Sequence, residues 1–209
     1  MDDLRRRVVV VSLASLAFLA GCAAPTTAPI ADASPSCVIP CSAQTVVYVL
    51  DCTGSMTDYM MYAQYLLKQH IRDLKPSQRF TILRYTDRPP VGLGGLGRGQ
   101  FIAADEAGRR AAEKFLEGCR PQGAGHPAEA LRRAFALKPQ VIYFVTDQDF
   151  DDTVVDLIDQ LNAERRVTVH AIDYRGELDG GRMQVIADRN GGQYLQPMEI
   201  CRELRSLCP

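Results

Sequence analysis

The amino-acid sequence predicts an α/β fold: a Rossmann-like, doubly wound, mainly parallel central sheet with helices on both faces. Three observations predict it. Val46–Leu50 and Val141–Val145 are short, continuous apolar runs, the pattern of strands buried on both faces. Between such runs lie stretches whose apolar residues recur at spacings of three and four, as on one face of a helix. The two kinds of segment alternate along the chain, which places successive strands side by side in one parallel sheet with helices crossing over it.

The first segment is not part of that alternation. Arg5-Arg6-Arg7 precede the apolar stretch Val8 to Ala20, too short for a permanent membrane span but suited to a signal-peptide core. Leu19-Ala20-Gly21-Cys22 resembles the lipobox of bacterial lipoproteins, in which the cysteine is acylated and becomes the mature N-terminus. Residues 1–21 are therefore expected to be a lipoprotein signal peptide, with Cys22 the lipidated residue and an export route to the cell envelope. Ala23 differs from the aspartate that resembles an inner-membrane retention signal, so the outer membrane facing the periplasm is favoured in a diderm host. Residues 22–43 are rich in Ala, Pro, Ser and Thr and have no apolar periodicity, as in a tether. The folded domain is expected over residues 44–209.

Within that domain, the strand Val46–Leu50 ends at Asp51. Met60, Ala63, Leu67, Ile71 and Leu74 form one helical stripe, which must stop before Pro76. Phe80–Leu83 reads as a strand and Pro89 to Gly99 as a loop. Gly92, Gly94 and Gly97 match G-x-G-x-x-G, but a dinucleotide site needs a strand directly before and a helix directly after, and Pro89 and Pro90 spoil the first condition. A helix through Ala107, Ala111, Phe115 and Leu116 ends at Gly118, and another enters at Pro127 and carries Leu131, Ala134 and Phe135. The strand Val141–Val145 is followed by Asp147, a second aspartate at a strand end. Then come a helix with Val154, Leu157, Ile158 and Leu161, the strand Val167–Ile172, and a helix around Met183 and Ile186 stopped by Gly191-Gly192. A short strand at Tyr194-Leu195 and a final helix toward Cys208 complete the chain.

Composition narrows the function. Of 209 residues, 46% are hydrophobic and 23% charged, which suits a globular chain, and a formal net charge of −1 gives no drive toward nucleic acid. Cleavage after Gly21 removes two aspartates and three arginines and leaves the remainder slightly more acidic. Of seven cysteines, lipidation of Cys22 leaves Cys37, Cys41, Cys52, Cys119, Cys201 and Cys208, an even set that in an oxidising compartment favours disulfides. A zinc site is the competing use, but Cys37 and Cys41 are spaced C-x3-C, and Cys201 and Cys208 lack the C-x2-C form of a second half-site.

The chemistry gathers at the strand ends, where ligands bind in such folds. Asp51, Thr53 and Ser55 alternate, so an extended chain points a carboxylate and two hydroxyls to one side. Oxygen donors of this kind suit Mg²⁺, with Mn²⁺ or Ca²⁺ as alternatives, and an ion so sparsely neutralised stays positive enough to accept a carboxylate from a partner. The alternative for Asp51 is a helix cap toward Asp58. Asp149, Asp151 and Asp152 suit a solvated loop and a helix start better than a metal site. His70 and His170 read as helix-face and core-strand residues.

Asp51-Cys52-Thr53-Gly54-Ser55-Met56 resembles the D-x-[ST]-G-S-M loop of von Willebrand factor type A (vWA) domains, their metal-ion-dependent adhesion site, or MIDAS. The likeness continues through Gly123-Ala124-Gly125-His126-Pro127 and Val145-Thr146-Asp147 and spans roughly Thr45 to Leu207. It implies a vWA fold in which Thr53 and Ser55 bind the ion through their hydroxyls, with Asp51 and Asp147 holding it directly or through water. The sequence departs from the family pattern twice: Gly125 stands where the second-loop threonine belongs, with His126 a neighbouring substitute, and Gln148 stands where a glycine follows the aspartate. Cys52, beside the loop, reads as a reactive thiol or, preferably, as the partner of Cys119. The resemblance further implies termini that meet opposite the site, where Cys37 and Cys41 would be joined to Cys201 and Cys208, although six cysteines allow 15 pairings that spacing does not separate.

The expected function is a non-enzymatic, membrane-anchored binding module that presents a divalent-cation-dependent protein-binding face. Its partner would be a protein or envelope complex offering an acidic residue. Gly125 and Gln148 favour an alternative, a metal-independent scaffold subunit of an envelope complex. A third reading, an Asp51-dependent phosphatase resembling the haloacid dehalogenases, meets Thr53 where their D-x-D pattern needs a second carboxylate.

Overall fold

A computed structural model describes residues 41–94, 100–176 and 181–197 of the chain. The signal-peptide segment, Cys22, Cys37, most of the tether, Gly97, Cys201, Cys208 and the final helix lie outside the described residues.

In chain order the elements are β1 (Thr45–Asp51), a 3₁₀ turn (Gly54–Asp58), α1 (Met60–Asp73), β2 (Arg79–Tyr85), β3 (Val91–Gly92), β4 (Ile102–Ala103), α2 (Glu106–Glu117) and α3 (Ala128–Ala136). They continue with β5 (Val141–Thr146), α4 (Asp152–Leu161), β6 (Thr168–Asp173), α5 (Arg182–Arg189) and β7 (Tyr194–Leu195). Strand β1 lies in the interior of the sheet, paired in parallel with β2 on one side and β5 on the other. Val46 to Asp51 are all buried, which is why this strand is apolar without alternation. The sheet order is β3-β2-β1-β5-β6-β7, with β6 parallel to β5 and β7 parallel to β6. The doubly wound, vWA-like parallel architecture predicted from the sequence is therefore present.

Side chains of alternate parity feed two cores, one on each face. Val46, Tyr48 and Leu50 point to α1 and α2, where Met60, Ala63, Leu67 and Ile71 meet Ala112 and Leu116. Val47 and Val49 point the other way, to Leu131, Phe135, Val154, Ile158, Met183 and Ile186 of α3, α4 and α5. At about 25 cal/mol per Å² of apolar surface removed from water, these two layers supply the main drive to fold. Among the described residues, no helix is long and apolar enough to cross a membrane.

Two expectations need correction. The stretch read as loop from Pro89 contains β3, antiparallel to β2 with Leu83 opposite Gly92, and β4 adds a second antiparallel pair with Phe80 opposite Ile102. Two-residue strands carry no periodicity, so no pattern in the residues marks them. In α2 the buried stripe is Gly108, Ala112 and Leu116, one residue on from the Ala107 and Ala111 expected. Gly108 sets that phase: a Cβ there would lie 1.9 Å from the Ala103 carbonyl oxygen, so this turn packs directly on β4. Asp105 caps the helix by accepting the Gly108 N–H at 2.8 Å.

Candidate functional site

The parallel register brings the chemistry to one edge. Asp51 ends β1 opposite Tyr85 of β2, and Leu50 pairs with Val145, so Thr146 is the next residue beside Asp51 on β5. Asp147 follows immediately. Beyond β1 the chain leaves the sheet at Thr53, still extended (φ −72°, ψ 166°), and enters the 3₁₀ turn that carries Ser55.

Asp51 is fully buried and has four donors. Its Oδ1 accepts the Thr53 N–H and the Thr53 hydroxyl, both at 2.7 Å. Its Oδ2 accepts the Tyr85 hydroxyl at 2.8 Å and the Thr146 hydroxyl at 2.6 Å. Burial, and then the Asp51 charge, push the Tyr85 phenol well above its ordinary value, so it stays a donor. Asp51 caps no helix: neither the 3₁₀ turn nor α1 has a side-chain cap at its start.

All four metal-ligand candidates meet in one hydrogen-bonded chain. Thr53 Oγ1 lies 3.0 Å from Ser55 Oγ, and the Ser55 hydroxyl donates to Asp147 Oδ1 at 2.7 Å. The protons in this chain can be counted. Thr53 gives its hydroxyl hydrogen to Asp51 and Ser55 gives its own to Asp147, so with both carboxylates ionised no proton is left for the Thr53–Ser55 contact. Two sets of oxygen lone pairs then face each other. Either a proton on Asp147 or a bound cation removes the conflict. Burial, foremost, and the Asp51 charge raise the Asp147 carboxyl above the usual carboxylate range, against the opposing pull of the Ser55 hydrogen bond and Arg175.

The site fits a hard divalent cation: the Asp147 carboxylate and the Thr53 and Ser55 hydroxyls face it, the Asp51 charge stands behind Thr53, and exposed Ser55 leaves room for water or a partner group. Among the described residues, no group of three or more His, Cys, Asp or Glu side chains is placed to hold a metal, so any such ion here depends on the hydroxyls.

The second loop contributes backbone only. At Gly125 a Cβ would lie 2.2 Å from the Thr86 carbonyl oxygen, so no side chain can replace the family's threonine without moving β2's exit. Gly123 adopts φ +66°, and a Cβ there would meet the Asp87 carboxylate. The loop is tied to the first by Gln122 N–H to the Cys52 carbonyl and Gly54 N–H to the Gly123 carbonyl, both 2.9 Å. Gln148, two residues beyond β5, braces this arrangement, since its side-chain amide donates to the Gly125 carbonyl while its backbone N–H donates to Thr146 Oγ1 at 2.9 Å. His126 is exposed, and its Nδ1 accepts the Ala128 N–H at 3.3 Å. With Thr86, Asp87, Arg88 and Gly125 it lines an open pocket of about 300 Å³ beside the site.

Sequence reasoning missed Tyr85 and Thr146 as the residues that satisfy Asp51. The available signal was polar endings on two neighbouring strands. Asp151 caps α4, accepting the Thr153 N–H at 3.0 Å, while Asp149 and Asp152 pair with Arg182, as expected of loop and helix-start residues. The Tyr48 hydroxyl and His70 Nδ1 share a hydrogen bond at 3.1 Å in the core, and burial lowers His170 to about 4.

The disulfide expectation is corrected for the described cysteines: Cys41, Cys52 and Cys119 all carry free thiols. Cys52 and Cys119 are both fully buried in the same core cluster, and Cys119 Sγ donates to the Phe115 carbonyl at 3.4 Å. Cys41, partly buried, packs against the core cluster that contains Tyr143.

Comparison with known proteins gives a consistent picture. The profile described as von Willebrand factor type A domain matches residues 44–195. No curated protein matches the chain significantly. Among solved structures, the fold is similar to "von Willebrand factor type A from Catenulispora acidiphila", at 21% identity and TM-score 0.62 over 79% of this chain and 42% of that one. The chain thus spans less than half of that protein's length. It is also similar to the SpRpn10 VWA domain, at 12% identity and TM-score 0.55 over 74% of this chain and 87% of that one. At these identities the structural likeness speaks for the fold alone.

Proposed function

The chain belongs to the von Willebrand factor type A family, a family of protein-interaction modules, and on that premise we propose that its strand-end site binds a protein partner through a divalent cation. The observation that carries the reading is the 3.0 Å Thr53–Ser55 contact between two carboxylates, which lacks a proton when both acids are ionised. A bound Mg²⁺, Mn²⁺ or Ca²⁺ would supply Lewis acidity toward a partner carboxylate. Thr53 and Ser55 offer oxygen lone pairs, Asp147 offers a carboxylate whose single side-chain donor is easily redirected, and Asp51 holds Thr53 in place. Because only the Asp147 carboxylate and the Asp51 charge behind it offset the ion, a divalent cation held here retains affinity for an acidic side chain.

The reading is non-enzymatic. Asp51 has no lone pair free to attack a substrate, since all four of its acceptor positions are taken from within the fold. The N-terminal charge, apolar and cysteine pattern supports export and lipid anchoring at Cys22, which would hold the domain at the envelope on its tether.

Gly125 favours a second reading, a metal-independent scaffold, because the second loop has neither a ligand nor space for one. Capture of partners from detergent-solubilised envelopes separates the two. Capture that is lost in chelator, restored by Mg²⁺ or Mn²⁺ and absent in Asp147→Asn is the expected result. Capture unchanged by chelator supports the scaffold.

A further inference from the structure

The pocket of about 300 Å³ beside the strand-end site has walls from two separate stretches of chain. One is the exit of β2, from Thr86 to Pro90; the other is the second loop and the first turn of α3, with Gly125, His126 and Glu129. Both walls are stiff. Pro89 and Pro90 have fixed φ angles, the Pro90 carbonyl accepts the Arg133 guanidinium at 2.8 Å, and the Arg88 N–H donates to Thr86 Oγ1 at 3.1 Å. The pocket is therefore formed before any ligand arrives, and at this size it takes a side chain and no large cofactor. Its lining residues differ in what they have left to offer. Glu129 is bound to Arg133, and Asp87 turns its carboxylate against Gly123, with its atoms 2.3 to 2.6 Å from where a Cβ would stand. Three donors, by contrast, have no acceptor among the described residues. Thr86 is only 8% exposed; its hydroxyl oxygen accepts the Arg88 N–H, and its hydroxyl hydrogen is unused. The Arg88 guanidinium is exposed and makes no ion pair or hydrogen bond among the described residues. His126 Nδ1 accepts the Ala128 N–H, so the neutral ring carries its hydrogen on Nε2, while Asp151, which feels the His126 charge, is committed to Thr153.

We propose that this pocket binds a carboxylate of the partner, so that the domain recognises a segment with two acidic residues, one on the ion and one here; the first of the two rests on the cation reading above. Three donors, one of them cationic, select a ligand that is rich in acceptors and negatively charged, and a planar carboxylate takes two guanidinium N–H groups at once. Asp87 opposes that charge, but its turn toward Gly123 leaves Arg88 as the charged group free to reach a ligand. The pocket adjoins the ion site through two of its lining residues. Tyr85 reaches Asp51 with its hydroxyl, and the Gly125 carbonyl is held by Gln148, next to Asp147. A segment that crosses from one to the other passes a single layer of side chains, which an extended chain spans in two residues, roughly 7 Å, with side chains i and i+2 on the same side. The partner motif that fits is therefore two acids separated by one residue.

The test is fluorescence anisotropy of the full chain with three amidated, fluorescein-labelled peptides, Gly-Asp-Gly-Glu-Gly, Gly-Asp-Gly-Gln-Gly and Gly-Asp-Gly-Lys-Gly, in Mn²⁺ or in chelator. In Mn²⁺ the Glu peptide should bind about tenfold tighter than the Gln peptide, the worth of one charge-assisted hydrogen bond, with the Lys peptide weakest. Arg88→Gln should bring the Glu peptide down to the level of the Gln peptide. The position is exposed, so the variant should fold as the wild type does, which its unfolding midpoint checks. Equal affinities for the Glu and Gln peptides, a preference for Lys, or a Glu preference retained in both Arg88→Gln and Thr86→Val would overturn the pocket, while Mn²⁺-dependent binding of the Asp would leave the cation reading standing. A Glu preference that depends on Arg88 but not on Mn²⁺ would uphold the pocket and overturn the cation reading. Failure of every peptide to bind in Mn²⁺ and in chelator would overturn both.

Discussion

At the end of β1, four donors surround Asp51; at the end of the neighbouring β5, Asp147 receives one side-chain hydroxyl. Both carboxylates are buried, yet they do different work. Asp51 is saturated by its own fold and serves to position Thr53, Tyr85 and Thr146. Asp147 is under-supplied, its carboxyl is raised by burial, and it retains capacity for a proton or a cation. Two aspartates at equivalent places in the topology thus divide into a structural acid and a binding acid, and the difference lies in the hydroxyls on the adjacent strands. It follows that substitutions at the two should separate stability from binding.

Asp51→Ala should have the largest effect on the fold. It leaves the Thr146 hydroxyl and the Thr53 N–H buried without their acceptor and the Tyr85 hydroxyl with only its longer contacts to Thr146 Oγ1 at 3.2 Å and Gln148 Oε1 at 3.4 Å, at about 3–4 kcal/mol, measurable as a fall in the urea midpoint. A loss below about 1 kcal/mol would show that those donors find other partners and that Asp51 is not the structural acid.

Gly125→Thr, the exchange that would restore the family's second-loop ligand, should cost about 1–3 kcal/mol and bring no gain in cation affinity. The reason is the 2.2 Å approach of its Cβ to the Thr86 carbonyl oxygen. Tighter Mn²⁺ binding in this variant would show that the loop can shift outward and that the site is a repairable version of the family's.

Acid should act on the two regions with opposite sign. Asp147 holds its proton more tightly folded than unfolded, so its contribution to stability is present at low pH and is lost as pH rises through its raised value. Cation affinity runs the other way and falls on acidification, because proton and ion compete for the same oxygen. In the core, His170 is lowered from 6.5 to about 4, so the unfolded chain takes up its proton first and stability falls as pH drops across that interval. Thermal unfolding across this range, with and without Mg²⁺, should show a cation-induced stabilisation that shrinks with acid. A constant cation effect would remove Asp147 from the ligand set.

The smallest effects on the fold belong to the binding side. Asp147→Asn should leave the cation-free protein as stable as the wild type, or more stable by up to about 1 kcal/mol, since it removes a poorly solvated charge. Ser55→Ala, at an exposed position, should change stability by about 0.5 kcal/mol or less. Both should abolish the cation response. Substantial destabilisation of either would place these residues with Asp51 on the structural side.

The sequence made the large elements legible because fully buried parallel strands and helical stripes have strong periods, and it brought Asp51, Thr53, Ser55 and Asp147 together because a parallel sheet puts all of its carboxyl ends at one edge. Other features depended on contacts with no local signature. β3 and β4 are too short to show a period, and the α2 stripe is set by how closely Gly108 approaches Ala103. Tyr85 and Thr146 looked like ordinary strand residues until the register placed them on either side of Asp51. Gly125 read as a missing ligand; the structure shows a position where the neighbouring backbone excludes any side chain.

The most direct test is calorimetric titration of Mn²⁺ and Mg²⁺ into the wild-type chain and into Ser55→Ala, with the unfolding midpoint of each recorded alongside. Saturable binding in the wild type that disappears in an equally stable Ser55→Ala protein is the predicted result. A wild type that binds neither ion, or a Ser55→Ala protein that binds as well as the wild type, would contradict it.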